Sequence, residues 1–280
     1  MHKLITVILC LISLQMTAQE LYVYSEPASN MPAKSLSIKL AANLMGPQPW
    51  HNSFMQRYTP EFMFGISKKI MIHTAVTFAD MHTPNFRWES VYIYGKYRFL
   101  SKDDVHKHFR MAVFGDAAYS RSPFHNDEIS LNGDKSGVQA GLIATQLINK
   151  LAISATISHT QVLDKSRYNK VIYAPTRVYQ SLNYSLSAGY LLIPREYTNY
   201  NQLNINFYTE LLGQQTLDRK TYFIDLAPAF QFIFNSNFKL NVGYRFQVSG
   251  TSERMAKQSW LISVERTFLN VHNSMKNNHE

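Results

Sequence analysis

Three observations on this 280-residue sequence predict an all-β fold. Apolar and polar residues alternate with a period of two through almost the whole chain after residue 34, as they do when successive side chains of a strand point to opposite faces. Aromatic residues are abundant, with 17 Tyr and 17 Phe, while charged residues make up only 17% of the chain. The connections between alternating stretches are by turns long and polar, then short. A soluble two-sheet sandwich has no reason to sort its loops by side. The predicted architecture is therefore an antiparallel transmembrane β-barrel of about 12 strands, of the outer-membrane type.

Alternation alone leaves open which face is inside. A soluble barrel hides its apolar face, whereas a membrane barrel turns that face to lipid and keeps the polar one around its lumen. Two further features favour the membrane form. Residues 1–18 carry a short basic start (His2, Lys3), an apolar run over 4–14 and a small residue at Ala18, the pattern of a signal peptide. The single cysteine, Cys10, lies in that run, so the mature chain has no disulfide and no thiolate chemistry. Barrel closure is one way to hold such an exported β protein together, because it satisfies every strand edge. A hydrophobic fraction of 45% excludes a helical membrane protein but suits a barrel that shows lipid only every second residue.

In chain order, residues 19–34 form an aperiodic N-terminal periplasmic segment, whose Pro27 and Pro32 argue against a central strand. The barrel spans 35–269. Leu36, Ile38, Leu40, Ala42 and Leu44 alternate with Ser35, Ser37, Lys39, Ala41 and Asn43; after a polar loop, Tyr58, Phe62, Phe64 and Ile66 alternate with Arg57, Thr59 and Glu61. A tight turn at Lys68 leads to Ile70, Ile72, Val76 and Phe78. The next strand carries Trp88, Tyr92, Tyr94 and Tyr97, aromatics of the kind that form interfacial girdles. Strands at 109–119, 138–147 and 151–160 follow, the last two joined across Asn149 and Lys150, then 178–190 and 201–212. The final three strands, over 222–268, place Phe230, Phe232, Phe234, Tyr244, Phe246 and Trp260 toward lipid and Asp225, Arg245 and Glu265 toward the lumen. The last of them closes against 35–44. A polar tail occupies 270–280. Segments 100–107 and 191–198 are long for the short-turn side, and 250–256 is brief for the long-loop side.

The segment Tyr22-Val23-Tyr24-Ser25-Glu26-Pro27-Ala28-Ser29-Asn30-Met31-Pro32-Ala33-Lys34-Ser35, after a leader ending near Ala-Gln, resembles that of uncharacterised outer-membrane β-barrel proteins of Bacteroidota. The resemblance implies an outer-membrane location and no particular activity. One departure is the polar tail after Phe268, where membrane barrels end on a terminal aromatic.

The inward parity gathers Lys39, Arg57, Glu61, Asp225, Arg245 and Glu265 as lumen-lining charges. Such charges select ions in a water-filled lumen and pair with one another in a narrow one. The formal net charge of +9 is read as facing lipid headgroups, anionic surface sugars or an anion-favouring lumen, or as scattered. His51, His82, His125 and His159 fall in or beside long loops; they hold a metal at the mouth if they converge, and are solvated loop residues otherwise. No metal or other cofactor is expected, and the 122–135 loop, lacking the spacing of a calcium loop, is read as solvated. Asp80 with His82, and Ser158 with His159, are the pairs a rim hydrolase would use, but without further partners they point away from catalysis. The expected function is a passive channel or transport component for small solutes. The alternative is a non-conducting anchor or partner in a surface complex, with the N-terminal segment plugging the lumen or docking a periplasmic protein. Expected partners are outer-membrane lipid and lipopolysaccharide, the barrel-assembly machinery and a periplasmic or surface protein, with no nucleic acid. The expected location is the outer membrane of a Gram-negative bacterium.

Overall fold

The computed structural model describes residues 22–47, 54–81, 85–104, 107–121, 126–163, 178–194 and 201–271. The expected signal peptide and residues 272–280 of the expected tail lie outside the described residues. Among the described residues twelve strands follow one another: β1 (Ser35–Met45), β2 (Met55–Gly65), β3 (Ile70–Ala79), β4 (Arg87–Asp103), β5 (Lys107–Ser120), β6 (Gly137–Ile148), β7 (Leu151–Val162), β8 (Gln180–Ile193), β9 (Asn204–Thr216), β10 (Tyr222–Phe234), β11 (Phe238–Gly250) and β12 (Gln258–Phe268). Each pairs antiparallel with its successor, and β12 returns to β1 with Leu36 opposite Phe268 and Leu44 opposite Trp260. The fold is a closed barrel. No sheet edge is left to seek a partner.

Apart from 194–203 between β8 and β9, the connections sort by end. Tight turns stand at one end, including 149–150 and 235–237, where Asn149, Asn235 and Ser236 take positive φ of 52°, 49° and 58°. Such turns match the right-handed twist of the strands, and Asn accepts the left-handed region at small cost. β4 continues to Asp103, so the connection expected over 100–107 shrinks to 104–106. The β9–β10 connection, expected long, is only 217–221.

Burial is inverted relative to a soluble protein. Glu89, Glu210 and Asp225 have 0% of their surface exposed, whereas Ile93 is 56% and Trp260 52% exposed. The exposed side chains are those of the apolar parity: Ile38, Leu40 and Phe62 on β1 and β2, Leu142 and Ile157 on β6 and β7, and Phe230, Ile262 and Val264 near the closure. An outer wall of this kind is stable only against hydrocarbon.

One local irregularity changes the faces. Between Thr77 and Phe78 the β3–β4 register slips: Thr77 faces Ser90 while Phe78 faces Trp88, leaving Glu89 as an extra residue. A bulge of this kind re-aims the side chains beyond it. Tyr94 and Lys96 consequently lie buried inside, with Tyr92 on the same parity, and do not contribute to an outer aromatic girdle. Trp88 and Tyr97 keep the outward parity.

Depth-dependent cost tests which face meets lipid. Val242→Arg, at an outward position within the β11 span, is expected to destabilise the barrel by about 2–4 kcal/mol, and Phe268→Arg, at the end of β12, by about 0–1 kcal/mol. Urea unfolding from lipid vesicles measures both, and equal costs would contradict the assignment.

Candidate functional site

The lumen holds two segments of the chain in addition to the side chains of its wall. The first is 22–34. Three consecutive backbone N–H groups, of Val23, Tyr24 and Ser25, donate to the Glu210 carboxylate at 2.9, 2.8 and 2.8 Å. Ser187 on β8 donates to the same group at 3.1 Å. Further along, Pro27 cannot donate a backbone N–H, and the neighbouring carbonyls turn instead to a cation. Lys96 Nζ donates to the Pro27 carbonyl at 2.7 Å, the Ser29 carbonyl at 2.9 Å and Glu26 at 3.1 Å. The Ala28 N–H donates to Thr145 Oγ1 at 2.9 Å, and Arg110 donates to Ser29 Oγ at 2.8 Å. Tyr22 packs edge-on against Tyr208 with centroids 5.6 Å apart, and with Val23 joins a cluster of Ala41, Ala229 and Leu261.

Two glycines of the wall make room for this segment. A Cβ on Gly65 would lie 2.0 Å from the Pro32 carbonyl oxygen, and one on Gly243 would lie 2.8 Å from the Tyr24 hydroxyl. The segment is thus fitted to β2 and β11 by backbone approach.

The second is the described part of the β5–β6 loop, 126–136, which enters from the opposite end. This differs from the solvated loop expected from its composition: Asp127, Asp134 and Lys135 are buried. Gln214 on β9 pairs with both backbone groups of Ile129, accepting from its N–H and donating to its carbonyl at 2.8 Å each. Glu128 takes Arg254 at 3.0 Å, Asp127 takes Arg219 at 2.8 Å, and Asp134 takes Arg57. Arg254, in the β11–β12 connection, also donates to Asp225 at 2.7 and 2.8 Å. Its burial works against the charge, but the Glu128 and Asp225 carboxylates hold its guanidinium above the ordinary arginine range.

The six charges anticipated on the inward parity all have ion-pair partners. Lys39 meets Glu61 at 3.4 Å, and Glu61 also bonds His73 Nδ1 at 2.9 Å. Glu265 takes Lys239 at 2.8 Å and Ser37 Oγ at 2.7 Å. Arg57 reaches Glu89 at 3.4 Å as well as Asp134, and Arg245 bridges Asp225 and Glu128. Sequence reasoning missed most of their partners. Glu210 and Lys239 alternate inward on their own strands and were open to the same parity argument, whereas Lys96 is turned inward by the β3–β4 bulge. Glu128, Asp134 and Arg254 come from loops, and Glu89 from the bulge, where no period operates.

Of the four loop histidines, only His159 lies among the described residues. His159 is exposed on the outer face of β7, while Ser158 is buried inside and accepts from Gln139 Nε2 at 2.6 Å. The two therefore face opposite ways. His51, His82 and His125 lie outside the described residues. Asp80, the intended partner of His82, accepts the Gln56 N–H at 2.8 Å. Among the described residues no group of three or more His, Cys, Asp or Glu is placed to hold a metal ion.

Between the two segments lies a chamber of about 430 Å³, with Tyr24 and Ser25 on one side, Ile129 and Leu131 on the other, and Thr59, Glu61, Tyr92, Asp116 and Arg245 around it. The arrangement places chain at two levels of the lumen and leaves a polar compartment between them.

No protein-family model matches the chain, and no curated protein matches its sequence. Solved structures do match. An outer membrane channel from Pseudomonas putida F1 is 9% identical with a TM-score of 0.51, over 88% of this chain and 100% of that one. The β domain of the Bordetella autotransporter BrkA is 9% identical with a TM-score of 0.51, over 84% of this chain and 99% of that domain. The fold is that of an outer-membrane barrel. At such low identity the likeness carries architecture alone.

Glu210→Ala leaves three N–H groups, one buried and two half-buried, without their acceptor, at about 1–3 kcal/mol for a fully buried orphaned donor. Amide exchange at Val23, Tyr24 and Ser25 is expected to rise at least about tenfold, while Gly141 and Leu142 on β6 keep their protection. Uniform loss of protection would mean that Glu210 supports the whole barrel instead of docking the segment.

Proposed function

We propose that the protein is a channel of the bacterial outer membrane for small polar solutes or ions, held closed by its own N-terminal segment. The observation that carries this reading is the clamp on 22–34, in which Glu210 takes three backbone N–H groups and Lys96 takes two backbone carbonyls and a carboxylate. A wall that served only as an anchor gains nothing from buried charges arranged around a removable segment. Support comes also from the inward charges, which would face permeating ions once the segment leaves, and from the likeness in fold to the Pseudomonas channel.

In this reading the tight turns face the periplasm and the β5–β6 loop faces the exterior, as in membrane barrels generally. The apolar outer wall contacts lipid and lipopolysaccharide, and the barrel-assembly machinery inserts it. The 22–34 segment is also the surface a periplasmic protein would engage to open the lumen. The resemblance of that segment to Bacteroidota barrel proteins points to the same location in a Gram-negative cell. The rim-hydrolase reading keeps no support from Ser158 and His159, which face opposite sides of the wall.

A second reading has an observation in its favour. Two segments, 22–34 and 126–136, occupy the lumen at different levels, which suits a non-conducting barrel. Planar-bilayer recording separates the two. The wild-type protein is expected to stay closed for most of the time, and deletion of 20–34 or Glu210→Ala to raise the open fraction at least about tenfold. A deletion variant that migrates as a folded barrel on heat-modifiability gels yet never conducts would establish the non-conducting form.

A further inference from the structure

The charges around the chamber do not balance, and the imbalance sits on one residue. Three carboxylates (Glu61, Asp116, Glu128) and one guanidinium (Arg245) line it. Glu61 is met by Lys39 and His73, and Glu128 by Arg254 and Arg245. Asp116 has no ion-pair partner among the described residues; the Tyr92 hydroxyl donates to its Oδ2 at 3.1 Å, and its buried Oδ1 finds no hydrogen-bond partner among them either. Its register neighbours across the sheet, Tyr94 and Gln139, bring no cation, and the Gln139 amide is turned to Ser158. A carboxylate withdrawn from bulk water with a single hydrogen bond is costly unless a cation meets it or it takes up a proton.

The surroundings of Asp116 narrow the chemistry of that cation. Thr59, also in the chamber wall and only 6% exposed, has a buried hydroxyl with no partner among the described residues, as has Tyr24 on the opposite side. Tyr92, Tyr94 and Phe114 form a stacked series on the inner face of β4 and β5, with centroids 6.5 and 5.5 Å apart. A bare metal ion needs six or more oxygen ligands for calcium or a rigid octahedron for magnesium, which one carboxylate among tyrosines does not supply. An alkylammonium group needs less. It carries three N–H donors for oxygen acceptors, and its charge and methylene groups suit aromatic faces.

We propose that the chamber is a binding site for a small organic ammonium solute, with Asp116 as its charged anchor and Tyr92 as the aromatic wall that also orients the carboxylate. The inference rests on the channel reading for how the solute reaches the chamber, and it names the class of solute that the lumen would select.

Ethanolamine and ethylene glycol, which share a skeleton and differ in the charged head, provide the test. Isothermal titration of the full-length barrel in detergent is expected to show ethanolamine binding at least about tenfold more tightly than ethylene glycol, with that preference lost in Asp116→Asn and retained in Asp116→Glu. Equal binding of the two solutes to the wild-type barrel, or an ethanolamine affinity unchanged in Asp116→Asn, would overturn the proposal. If Asp116→Asn does not fold, the wild-type comparison decides alone. Conductance of the 20–34 deletion is recorded in parallel. A barrel that conducts without preferring ethanolamine keeps the channel reading and sinks the ammonium site; one that prefers ethanolamine but never conducts does the reverse.

Discussion

The closure of β12 onto β1 is the constraint from which the rest of the molecule follows. Hydrocarbon offers no hydrogen bonds, so a sheet can stand in it only if its two edges satisfy each other. Here they meet over the register from Leu36 opposite Phe268 to Leu44 opposite Trp260. Once the sheet is closed and its outer parity given to lipid, every polar residue of the strands is committed to the inside. Twelve strands enclose more space than their own inward side chains fill. The remaining volume must be taken by water or by chain, and in this protein two segments of chain take much of it.

Those segments have to satisfy backbone groups away from bulk water, and the wall supplies the partners in two chemically opposite forms. Glu210 gathers N–H groups where the segment can donate; Lys96 gathers carbonyls beside Pro27, where it cannot. Elsewhere in the wall, neutral polar residues bond from strand to strand. Gln231 donates to Asn241 at 2.9 Å, and Asn241 donates to Ser263 at 2.9 Å. Ion pairs such as Arg254 with Asp225 offset much of their desolvation by mutual attraction and hydrogen bonding. Their larger effect is on specificity, since a slipped register would leave a buried charge alone.

Much of this architecture is legible in the sequence because the strand period is so regular. Ser35, Ser37 and Lys39 on β1, or Asp225, Ala227 and Ala229 on β10, go inside by parity alone, and lipid demands the other parity. Parity fails where the register slips. The extra residue Glu89 turns Tyr94 and Lys96 inward, and nothing in the residue types around Trp88 marks the bulge. Loops fail for a different reason. Asp127, Glu128 and Asp134 have the composition of a solvated loop, and their burial depends on Arg57, Arg219 and Arg254, which are distant in sequence and converge only when the barrel closes. Asp116 was legible as an inward residue of β5, but its lack of a cation is a property of the assembled lumen.

The two segments in the lumen differ in what holds them, and the difference sets how much each would cost to withdraw. The β5–β6 loop is covalently tied at both ends and crossed by ion pairs with four arginines, so withdrawing it would separate several buried opposite charges together. The 22–34 segment is tied to the wall at β1 and gripped mainly by hydrogen bonds from neutral backbone to Glu210 and Lys96. If water enters as the segment departs, both charges exchange peptide partners for water, and such an exchange is worth about 1.5–3 kcal/mol for each hydrogen bond to a charged group. Apolar burial adds to this: Tyr22 and Val23 lose their contacts with Tyr208, Ala229 and Leu261, at about 1.5–3 kcal/mol for each large side chain. The polar clamps therefore set where the segment lies, and the clamps and the Tyr22–Val23 contacts together set how firmly it is held. A partner that captured Tyr22 and Val23 would lower that barrier without breaking a single ion pair of the wall.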